Sequence, residues 1–444
     1  MEPKAETFGA EAFISEDYAR AEPGLLWRKV WQHACRVEEL KKPGDYVTYD
    51  IVDDTVLIVR GADERIRAFH NVCPHRGRRL ADGCGHARQF RCAYHGWRFG
   101  LDGQCLHVLD RDDWNGALDG VDLSLGEVRL DTWGGWVWIN LDPDCEPLSD
   151  FLGQVPAMLD PYQLDRMRYR WRKWCIFDCN WKVAMEAFAE SYHVEGTHPQ
   201  LLKFADYYTW SKEDGLHSHH GFDERSIGIG AEDDWAANAS IVRSGKGEDA
   251  RQSIAALQVE LIETVDAATT LTFVNASKRL VDELPEGTPP GEVMAHFLEA
   301  ARADDAARGV AWPEISPEHQ AGAGIAWHVF PNLSIGMGIT FCLLYRVRPH
   351  GLDPNKCLFE AAFMERFPEG QEPQTEWVHA DPCEPGGWPP VLIQDFDNMS
   401  QVQRGMRSSG FRGCHPNPHQ EAPIANFHRN LAKYMGRGAP RTLG

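Results

Sequence analysis

The chain has 444 residues, of which 43% are hydrophobic, and a formal net charge of -21 at pH 7. This length is sufficient for two globular domains, and the charge argues against nucleic acid or an anionic membrane surface as the main partner. No run of about 18 apolar residues predicts a membrane-spanning helix, and no secretory signal is visible at the N-terminus. The twelve cysteines are therefore expected to be reduced thiols or metal ligands in a cytoplasmic protein.

The first two regions of the chain differ in their residue patterns. Residues 1–39 are predicted to form an N-terminal helical segment, from stretches such as "PGLLWRKVWQHACRVEEL". From residue 40 to about 155, runs such as "DYVTYDIVDDTVLIVR" and "WGGWVWINLDP" alternate and are rich in Val, Ile and aromatic residues. Such runs are typical of strands, and the sequence therefore predicts a small all-β domain over residues 40–155.

Two short motifs within this β region, "CPHRG" and "CAYHG", each supply one thiol and one imidazole. The four candidate ligands are Cys73, His75, Cys92 and His95. Structural zinc is one interpretation, but zinc fingers usually pair Cys with Cys and His with His along the chain. One Cys and one His from each of two loops suit a [2Fe–2S] cluster in which two Cys bind one iron and two His bind the other.

Residues 156–444 are predicted to form an α+β domain. The stretch "WRKWCIFDCNWKVAMEAF" looks like a strand followed by a helix, and "FCLLYRVRPHG" and "KCLFEAAFMERF" are typical of strands. Two helices are expected near the C-terminus, and an antiparallel sheet is the expected floor of the domain. Residues 230–320 are acidic and Ala-rich, which predicts a helical insertion that forms either a lid over a substrate channel or a layer on the sheet.

The segment "NWKVAMEAFAESYHVEGTHP" places Glu and His residues at suggestive spacings. In a helix over residues 181–195, Glu186, Glu190 and His193 would share one face. A Gly and a Pro near its end would stop the helix and turn His198 back towards His193. Two His and one carboxylate form the facial triad of non-haem Fe(II) oxygenases, which leaves positions open for O₂ and substrate. A pair of buried, hydrogen-bonded histidines is the alternative.

Together these motifs resemble the catalytic α subunit, or terminal oxygenase component, of the Rieske non-haem iron ring-hydroxylating oxygenases. The resemblance covers essentially the whole chain and includes "NVCPHRG", "CAYHGW" and "QDFDNMSQVQRG". It implies an N-terminal all-β Rieske [2Fe–2S] domain and a C-terminal helix-grip catalytic domain, in which an antiparallel sheet and flanking helices support a mononuclear Fe(II). His193, His198 and Asp395 would bind this iron, with Asp397 as the alternative to Asp395.

The resemblance also implies a function and partners. A terminal oxygenase component would use O₂, and electrons from a separate NAD(P)H-dependent flavin reductase or ferredoxin, to hydroxylate or cis-dihydroxylate an apolar aromatic substrate. The absence of a dinucleotide-binding fingerprint in the sequence agrees with a separate reductase. A homotrimer is expected, in which Glu190 would connect the Rieske cluster of one chain to the iron of its neighbour, and an additional small β subunit is left open.

The chain departs from the family pattern at two positions. Asp usually stands where this chain has Glu190, and Ala187 replaces an Asn that is common after the preceding Glu. Glu at position 190 resembles a branch that includes homotrimeric monooxygenases acting on quaternary amines. Quaternary-amine monooxygenation and oxidative O- or N-demethylation are therefore alternatives within the family. Outside it, the alternative is a non-catalytic Rieske electron-transfer or redox-sensing protein, which predicts no second iron.

Overall fold

The computed structural model describes residues 5–201, 208–223 and 249–443. The chain divides into two compact units, one of Arg20–Phe151 and one of Met1–Ala19 together with Leu152–Gly444. None of the helices in the described ranges is both long enough and apolar enough to cross a membrane. The bounds of 40–155 and 156–444 for the two domains stay a prediction.

The N-terminal segment is helical only in part. It contains strand β1 (Glu6–Thr7), helices α1 (Glu11–Ile14) and α2 (Glu16–Glu22), and a π-helical turn (Pro23–Trp27). The helical prediction for residues 1–39 is wrong for Gln32–Arg36, which form strand β2 with all five residues buried. This stretch pairs with a strand that carries Trp136 and Trp138, and its burial in the sheet outweighs the local helical pattern.

The Arg20–Phe151 unit is all-β, as predicted. After β2 its strands are β3 (Asp45–Ile51), β4 (Asp54–Arg60), β5 (Ile66–His70), β6 (Cys84–His86), β7 (Phe90–Arg91), β8 (Arg98–Phe99), β9 (Cys105–His107), β10 (Glu127–Trp133) and β11 (Trp136–Asn140). Short helices lie at Val37–Glu39, at Arg111–Trp114 and at Leu148–Leu152, which is α3. A seven-stranded sheet has the order β2-β11-β10-β5-β4-β3-β6, and a three-stranded sheet has the order β7-β8-β9.

The second unit is built on an eight-stranded sheet of order β13-β14-β15-β16-β17-β18-β12-β19. Its strands are β12 (Arg168–Phe177), β13 (Thr209–Asp214), β14 (His217–Phe222), β15 (Ala326–Val329), β16 (Leu333–Met337), β17 (Phe341–Pro349), β18 (Cys357–Glu365) and β19 (Val378–His379). Every pair is antiparallel except β12 with β19, which confirms the predicted antiparallel sheet. A short strand, β20 (Arg441–Thr442), pairs with β1.

Helices of the second unit flank this sheet. They are α4 (Val155–Leu159), α5 (Trp181–Glu186), α6 (Val194–Thr197), α7 (Ala250–Glu260), α8 (Leu271–Glu283), α9 (Pro290–Ala307), α10 (Pro317–Ala323), α11 (Pro390–Gly405) and α12 (Ala422–Met435), with 3-10 turns at Asp160–Tyr162 and Leu164–Arg166 and a π-helical turn at Leu261–Val265. The described part of the predicted 230–320 insertion consists of α7 to α10. Its first residues, 230–248, lie outside the described residues.

Two helices bring the second unit's candidate ligands together over the sheet. Helix α5 packs on β17 and β18, and α11 contacts both α5 and α6. Asn180 begins α5, because its side chain accepts a hydrogen bond from the Lys182 N–H (3.0 Å). The segment from α5 to His198 is thereby placed between the sheet and α11.

Candidate metal centres

The two Cys/His motifs form loops with the same backbone arrangement, one between β5 and β6 and the other between β7 and β8. In each loop the Cys carbonyl accepts a hydrogen bond from the Gly N–H four residues later, Gly77 to Cys73 at 2.9 Å and Gly96 to Cys92 at 3.0 Å. Both glycines have positive φ, 77° and 71°, a conformation that favours glycine. The glycine in each motif is therefore a requirement of the turn that presents the ligands.

The four side chains of these loops converge. The thiols of Cys73 and Cys92 are buried and within hydrogen-bond distance of each other, and the rings of His75 and His95 have their centroids 4.5 Å apart. Nδ1 of each histidine is buried and makes no hydrogen bond within the described ranges. Two thiols and two free imidazole nitrogens at one place fit the donor set of a Rieske [2Fe–2S] cluster.

Aromatic rings fix the two histidines of this set. Trp97 stacks on His75, with the ring centroids 4.9 Å apart and the ring planes at 6°. The ring centroids of Tyr94 and His95 are 3.8 Å apart. Desolvation, followed by the neighbouring His75 and Arg76, lowers the pKa of His95. A lowered pKa favours the neutral imidazole, which is the form that can bind a metal.

His193, His198 and Asp395 form a second cluster. In the part of the chain that the structure describes, they are the one group of three or more His, Cys, Asp or Glu whose ligand atoms all lie within 4.8 Å of one another. Asp395 Oδ1 is 3.0 Å from His198 Nε2 and 3.6 Å from His193 Nε2. Two imidazole nitrogens and one carboxylate oxygen are the donors of the facial triad, so these residues fit a mononuclear Fe(II).

Helix α11 determines which Asp of "QDFDNM" reaches this cluster. Asp395 lies on the buried face of α11 with Leu392, Phe396 and Met399, whereas Asp397 is exposed. A buried carboxylate is costly without partners, and Asp395 finds them in the two imidazoles. The structure therefore brings Asp395, and not Asp397, to the histidines.

The segment that carries the histidines is not the continuous helix expected over residues 181–195. Helix α5 ends at Glu186, and α6 begins only after His193. Glu186 and His193 therefore share no helix, although both line one cavity, and Glu186 Oε1 is 2.6 Å from His428 Nε2 on α12. The carboxylate of Glu190 accepts a hydrogen bond from the N–H of His193 (3.1 Å), so this side chain binds the backbone in the turn between α5 and α6.

Each histidine of the cluster has a hydrogen-bond partner at Nδ1, on the side of the ring away from Asp395. Glu190 Oε1 lies 2.9 Å from His193 Nδ1, and Gln394 Oε1 lies 2.8 Å from His198 Nδ1. Such outer acceptors fix the imidazole and aim Nε2 at the metal position beside Asp395. Burial lowers the pKa of His193, but the carboxylates of Glu190 and Asp395 outweigh it and the pKa is raised overall.

One cavity beside His193, which we name the apolar cavity, has a volume of about 390 Å³. Aliphatic and aromatic side chains dominate its lining, among them Phe188, Leu201, Phe222, Leu257, Leu261, Val265, Met337, Phe341, Leu343, Tyr345 and Val391. No Lys or Arg occurs among the described residues that line it. Its wall includes residues of α7 and of the π-helical turn that follows, so the described helical insertion borders the cavity.

The lining of a second cavity of about 540 Å³, the acidic cavity, includes Glu186, Glu190 and Glu421 together with two of the candidate iron ligands, His193 and Asp395. Burial and the neighbouring Glu190 and Glu186 raise the pKa of Glu421 to about 7, although its Oε2 accepts a hydrogen bond from the Asn417 N–H (2.6 Å). Near neutral pH this carboxyl is therefore partly protonated, which lowers the negative charge of the acidic cavity.

Residues 30–115 match the Rieske [2Fe-2S] domain, and residues 163–265 and 269–437 match the catalytic domain of the ring hydroxylating alpha subunit. The second match covers more than half of the chain. The chain belongs to the ring-hydroxylating oxygenase alpha subunits. Its cofactors are therefore a Rieske [2Fe–2S] cluster and a mononuclear iron.

Curated relatives of this alpha subunit differ in the substrates that their names give. It is 32% identical over 179 residues to the glycine betaine monooxygenase oxygenase subunit of Pseudomonas aeruginosa strain UCBPP-PA14, which is 40% of this chain and 41% of that protein. It is 33% identical over 193 residues to the chlorobenzene dioxygenase subunit alpha of Cupriavidus sp. strain PS12, 42% of each chain. The chain thus spans about two fifths of the length of these relatives.

A solved structure of a quaternary ammonium Rieske monooxygenase in complex with L-carnitine has a similar fold. The TM-score is 0.63 at 20% sequence identity, over 98% of this chain and 96% of that chain. The two-domain fold predicted from the motifs, with an all-β Rieske domain before a catalytic α+β domain, is confirmed.

Two residues at the second centre, Glu421 and Tyr345, belong to no motif that could be interpreted from the sequence, and Gln394 stands in the motif "QDFDNM" without a predicted role. Its position directly before Asp395 was the available signal. Tyr345 comes from β17, and Glu421 from the residue before α12. Only the fold brings these two next to His193.

Proposed function

We propose that this alpha subunit is the terminal component of an oxygenase system that hydroxylates or cis-dihydroxylates an apolar, aromatic substrate. O₂ is the oxidant, and a separate NAD(P)H-dependent flavin reductase or ferredoxin supplies the electrons. The observation that supports this most strongly is that a candidate iron ligand, His193, lines a cavity in which aliphatic and aromatic side chains dominate. We assign the cluster ligands to Cys73, His75, Cys92 and His95, and the iron ligands to His193, His198 and Asp395.

The protein residues contribute position and exclusion of water. When bound, the iron supplies the activation of O₂ that the organic substrate alone lacks. Glu190 and Gln394 hold the Nδ1 sides of His193 and His198, so that both Nε2 atoms face Asp395. The apolar cavity then holds the substrate against His193 and keeps bulk water away from the reacting carbon.

The lining of the apolar cavity distinguishes the two main substrate classes. Glycine betaine and carnitine carry a carboxylate, which calls for a basic partner, and the described lining contains no Lys or Arg. A quaternary ammonium group can also be bound by aromatic rings, and Phe188, Phe222, Phe341 and Tyr345 supply such rings. Quaternary-amine monooxygenation, which the glycine betaine relative and Glu190 also favour, is therefore the second candidate.

We propose further that electrons reach the iron site through the acidic cavity. Glu190 lines this cavity and is bonded to His193, so it can connect a cluster histidine of a neighbouring chain to an iron ligand. A closed ring of three chains with head-to-tail contacts provides such a neighbour. The exposed Arg76 and Arg78 beside the cluster loop have the charge that complements the glutamates of the cavity. The proposed assembly is a homotrimer.

Product analysis under ¹⁸O₂ tests the proposed function. The purified protein with a flavin reductase is offered a panel of aromatic hydrocarbons and terpenoids beside glycine betaine and carnitine, with Asp395→Ala as the inactive control. The proposal predicts ¹⁸O in products of one or more apolar substrates. Labelled products from the quaternary amines alone would establish the second candidate in its place.

A further inference from the structure

The hydroxyl of Tyr345 is a polar group in the apolar cavity that the iron site does not use. Tyr345 lies on β17 and lines the cavity together with His193, and only 9% of its surface is exposed. Nowhere in the described ranges does another group form a hydrogen bond with this hydroxyl. Tyr345 Oη does not belong to the fully buried polar atoms that lack a partner, so this hydroxyl is accessible and an acceptor in the cavity can receive its hydrogen bond.

The ring of Tyr345 is fixed, so the direction of its hydroxyl is fixed as well. Phe188 stacks on it at 3.8 Å and 19°, and Phe359 lies 6.1 Å away. Burial, with a smaller contribution from the Asp395 carboxylate, raises the pKa of Tyr345 well above its ordinary value. The phenol therefore stays protonated and remains a hydrogen-bond donor at any physiological pH.

The two serines of the same cavity do not offer a donor. Ser191 Oγ is 3.0 Å from His220 Nε2, and the other ring nitrogen of His220 bonds to a backbone carbonyl, so the serine hydroxyl donates to Nε2. Ser334 Oγ donates to the Phe188 carbonyl at 2.6 Å. Both serine hydroxyls donate their hydrogen bonds to other groups of the protein, so towards the cavity they can act only as acceptors. Tyr345 is thus the donor that the described hydroxyl groups of the lining leave for a ligand.

We propose that Tyr345 donates a hydrogen bond to the substrate and selects, among apolar molecules, ring systems that carry a carbonyl or ether oxygen. This inference rests on the proposed function, because it takes the apolar cavity as the substrate site. Phe341, Leu343 and Tyr345 alternate along β17 and line the same cavity. A ring system that is hydrogen-bonded to the Tyr345 hydroxyl would therefore lie along the side chains of Phe341 and Leu343. A carboxylate does not fit this site, because the described lining lacks a basic side chain. Tyr345 is a positioning residue that orients the ring relative to His193.

Binding of a matched pair of probes tests this proposal without turnover. Isothermal titration of the anaerobic holoenzyme compares 1-indanone with indane, two bicyclic molecules that differ in one carbonyl. Tyr345→Phe removes only the hydroxyl, and we expect it to weaken binding of 1-indanone roughly 3- to 10-fold, the usual range for one neutral hydrogen bond, while indane binding stays within about 2-fold. Tyr192→Phe, at an exposed tyrosine outside both cavities, is the control and should change neither.

An unchanged affinity for 1-indanone, or an equal loss for both probes, would overturn the assignment of Tyr345. A wild-type protein that binds neither probe would overturn it as well. The outcome is separable from that of the proposed function. If Tyr345→Phe discriminates the probes but no substrate is oxygenated under ¹⁸O₂, the proposed function fails and the role of Tyr345 in binding stands. If hydrocarbons are oxygenated but the variant does not discriminate, only the Tyr345 assignment fails.

Discussion

At the residue scale, the two histidines of the iron site differ in what holds them. Glu190 presents a charged carboxylate to His193, whereas Gln394 presents a neutral amide to His198. The charged partner raises the pKa of His193 and belongs to the acidic cavity, while the amide fixes the orientation of His198 without adding charge. His193 and Asp395 both line the acidic cavity, and His193 is the one of the two histidines whose outer partner carries a charge.

Replacement of Asp395 by Ala tests the assignment of the third ligand. The change removes the carboxylate that faces Nε2 of both histidines, and we expect loss of about one iron per chain and turnover below about 1% of wild type, since even outer partners of metal ligands are worth 10- to 100-fold. The Rieske signal in electron paramagnetic resonance should be unchanged. Asp397→Ala, at an exposed position of the same helix, is the matched control. Loss of iron in that variant, with Asp395→Ala active, would show that the ligand was assigned wrongly.

Replacement of Glu190 by Gln tests the proposed electron path. The amide keeps nearly the same shape and can still accept a hydrogen bond from His193 Nδ1, so both metal centres and the trimer should be retained. Without the negative charge, reduction of the iron site by the cluster should slow by at least about 10-fold. Stopped-flow reduction of the holoenzyme measures this rate, with the exposed Glu195→Gln as the control. A wild-type rate in Glu190→Gln would remove the proposed path.

Most of the ligand residues could be predicted from spacing because each motif is local. Cys73, His75, Cys92 and His95 lie in two short loops, and His193 and His198 lie in one segment. Asp395 required the resemblance to a family, since nothing near it in the sequence indicates a metal site. Gln394, Glu421 and Tyr345 could not be found, because their roles depend on contacts between distant elements.

At the scale of elements, one wall of the apolar cavity depends on a turn that follows the π-helical turn Leu261–Val265. Asp266 and Ala268 in this turn have φ of 49° and 57°, a left-handed conformation that non-glycine residues rarely adopt. Arg170 Nη2 bonds to Asp266 Oδ1 (2.8 Å), and Trp171 Nε1 donates to the Asp266 carbonyl (2.8 Å). These two side chains of β12 hold the turn against its own backbone preference.

Replacement of Arg170 by Met should therefore loosen this wall. We expect the apparent free energy of unfolding to fall by about 2–3 kcal/mol, because several hydrogen bonds and a partly buried ion pair with Glu365 are lost. Trp171→Phe, which removes a single bond to the same turn, should cost about 1 kcal/mol. Urea unfolding measures both values. An Arg170→Met protein as stable as wild type would mean that the turn does not need this support.

Strands β14 and β15 carry buried histidines that make stability depend on pH. Burial lowers the pKa of His220 to about 4 and that of His328 to about 3. Below the ordinary pKa of about 6.5 the unfolded chain binds protons that the folded chain does not, so stability falls as the pH decreases from about 6.5 towards 4. We expect His328→Asn to reduce this slope by up to about one proton, whereas His350→Asn, at an exposed position, should not. Urea unfolding from pH 7 to 5 measures the slope, and equal slopes in all three proteins would contradict the assignment.

Helices and strands could be predicted where the hydrophobic periodicity was strong. The prediction failed where pairing with a distant strand, or a side-chain bond to the backbone, determines the local structure. The strands around residues 45–60 and 341–365 and the two C-terminal helices follow their sequence patterns. Gln32–Arg36 has a helical pattern but pairs in a sheet. The predicted helix over residues 181–195 is interrupted because the Glu190 side chain bonds the backbone N–H of His193, a contact that helical periodicity does not reveal.

At the scale of the whole molecule, the proposed electron path runs from the Rieske cluster of one chain to the iron of a neighbouring chain. The chain as a whole is acidic, with a net charge of -21, yet arginines are exposed beside the cluster loop and glutamates line the acidic cavity. In the proposed head-to-tail trimer, these opposite charges would face each other. The expected trimer came from the family resemblance, because hydrophobic periodicity and motif spacing give no information on contacts between chains.

A single-turnover experiment tests whether the Rieske cluster supplies the electrons for oxygenation of an apolar substrate at the iron site. Fully reduced holoenzyme is mixed with ¹⁸O₂ and an apolar ring substrate in the absence of reductase, and cluster oxidation and product are followed in the same sample. We expect that the cluster is oxidised as ¹⁸O-labelled product forms, and that Asp395→Ala keeps its cluster reduced and forms no labelled product. Labelled product from Asp395→Ala, or cluster oxidation in the wild type with no labelled product from any substrate, would contradict it.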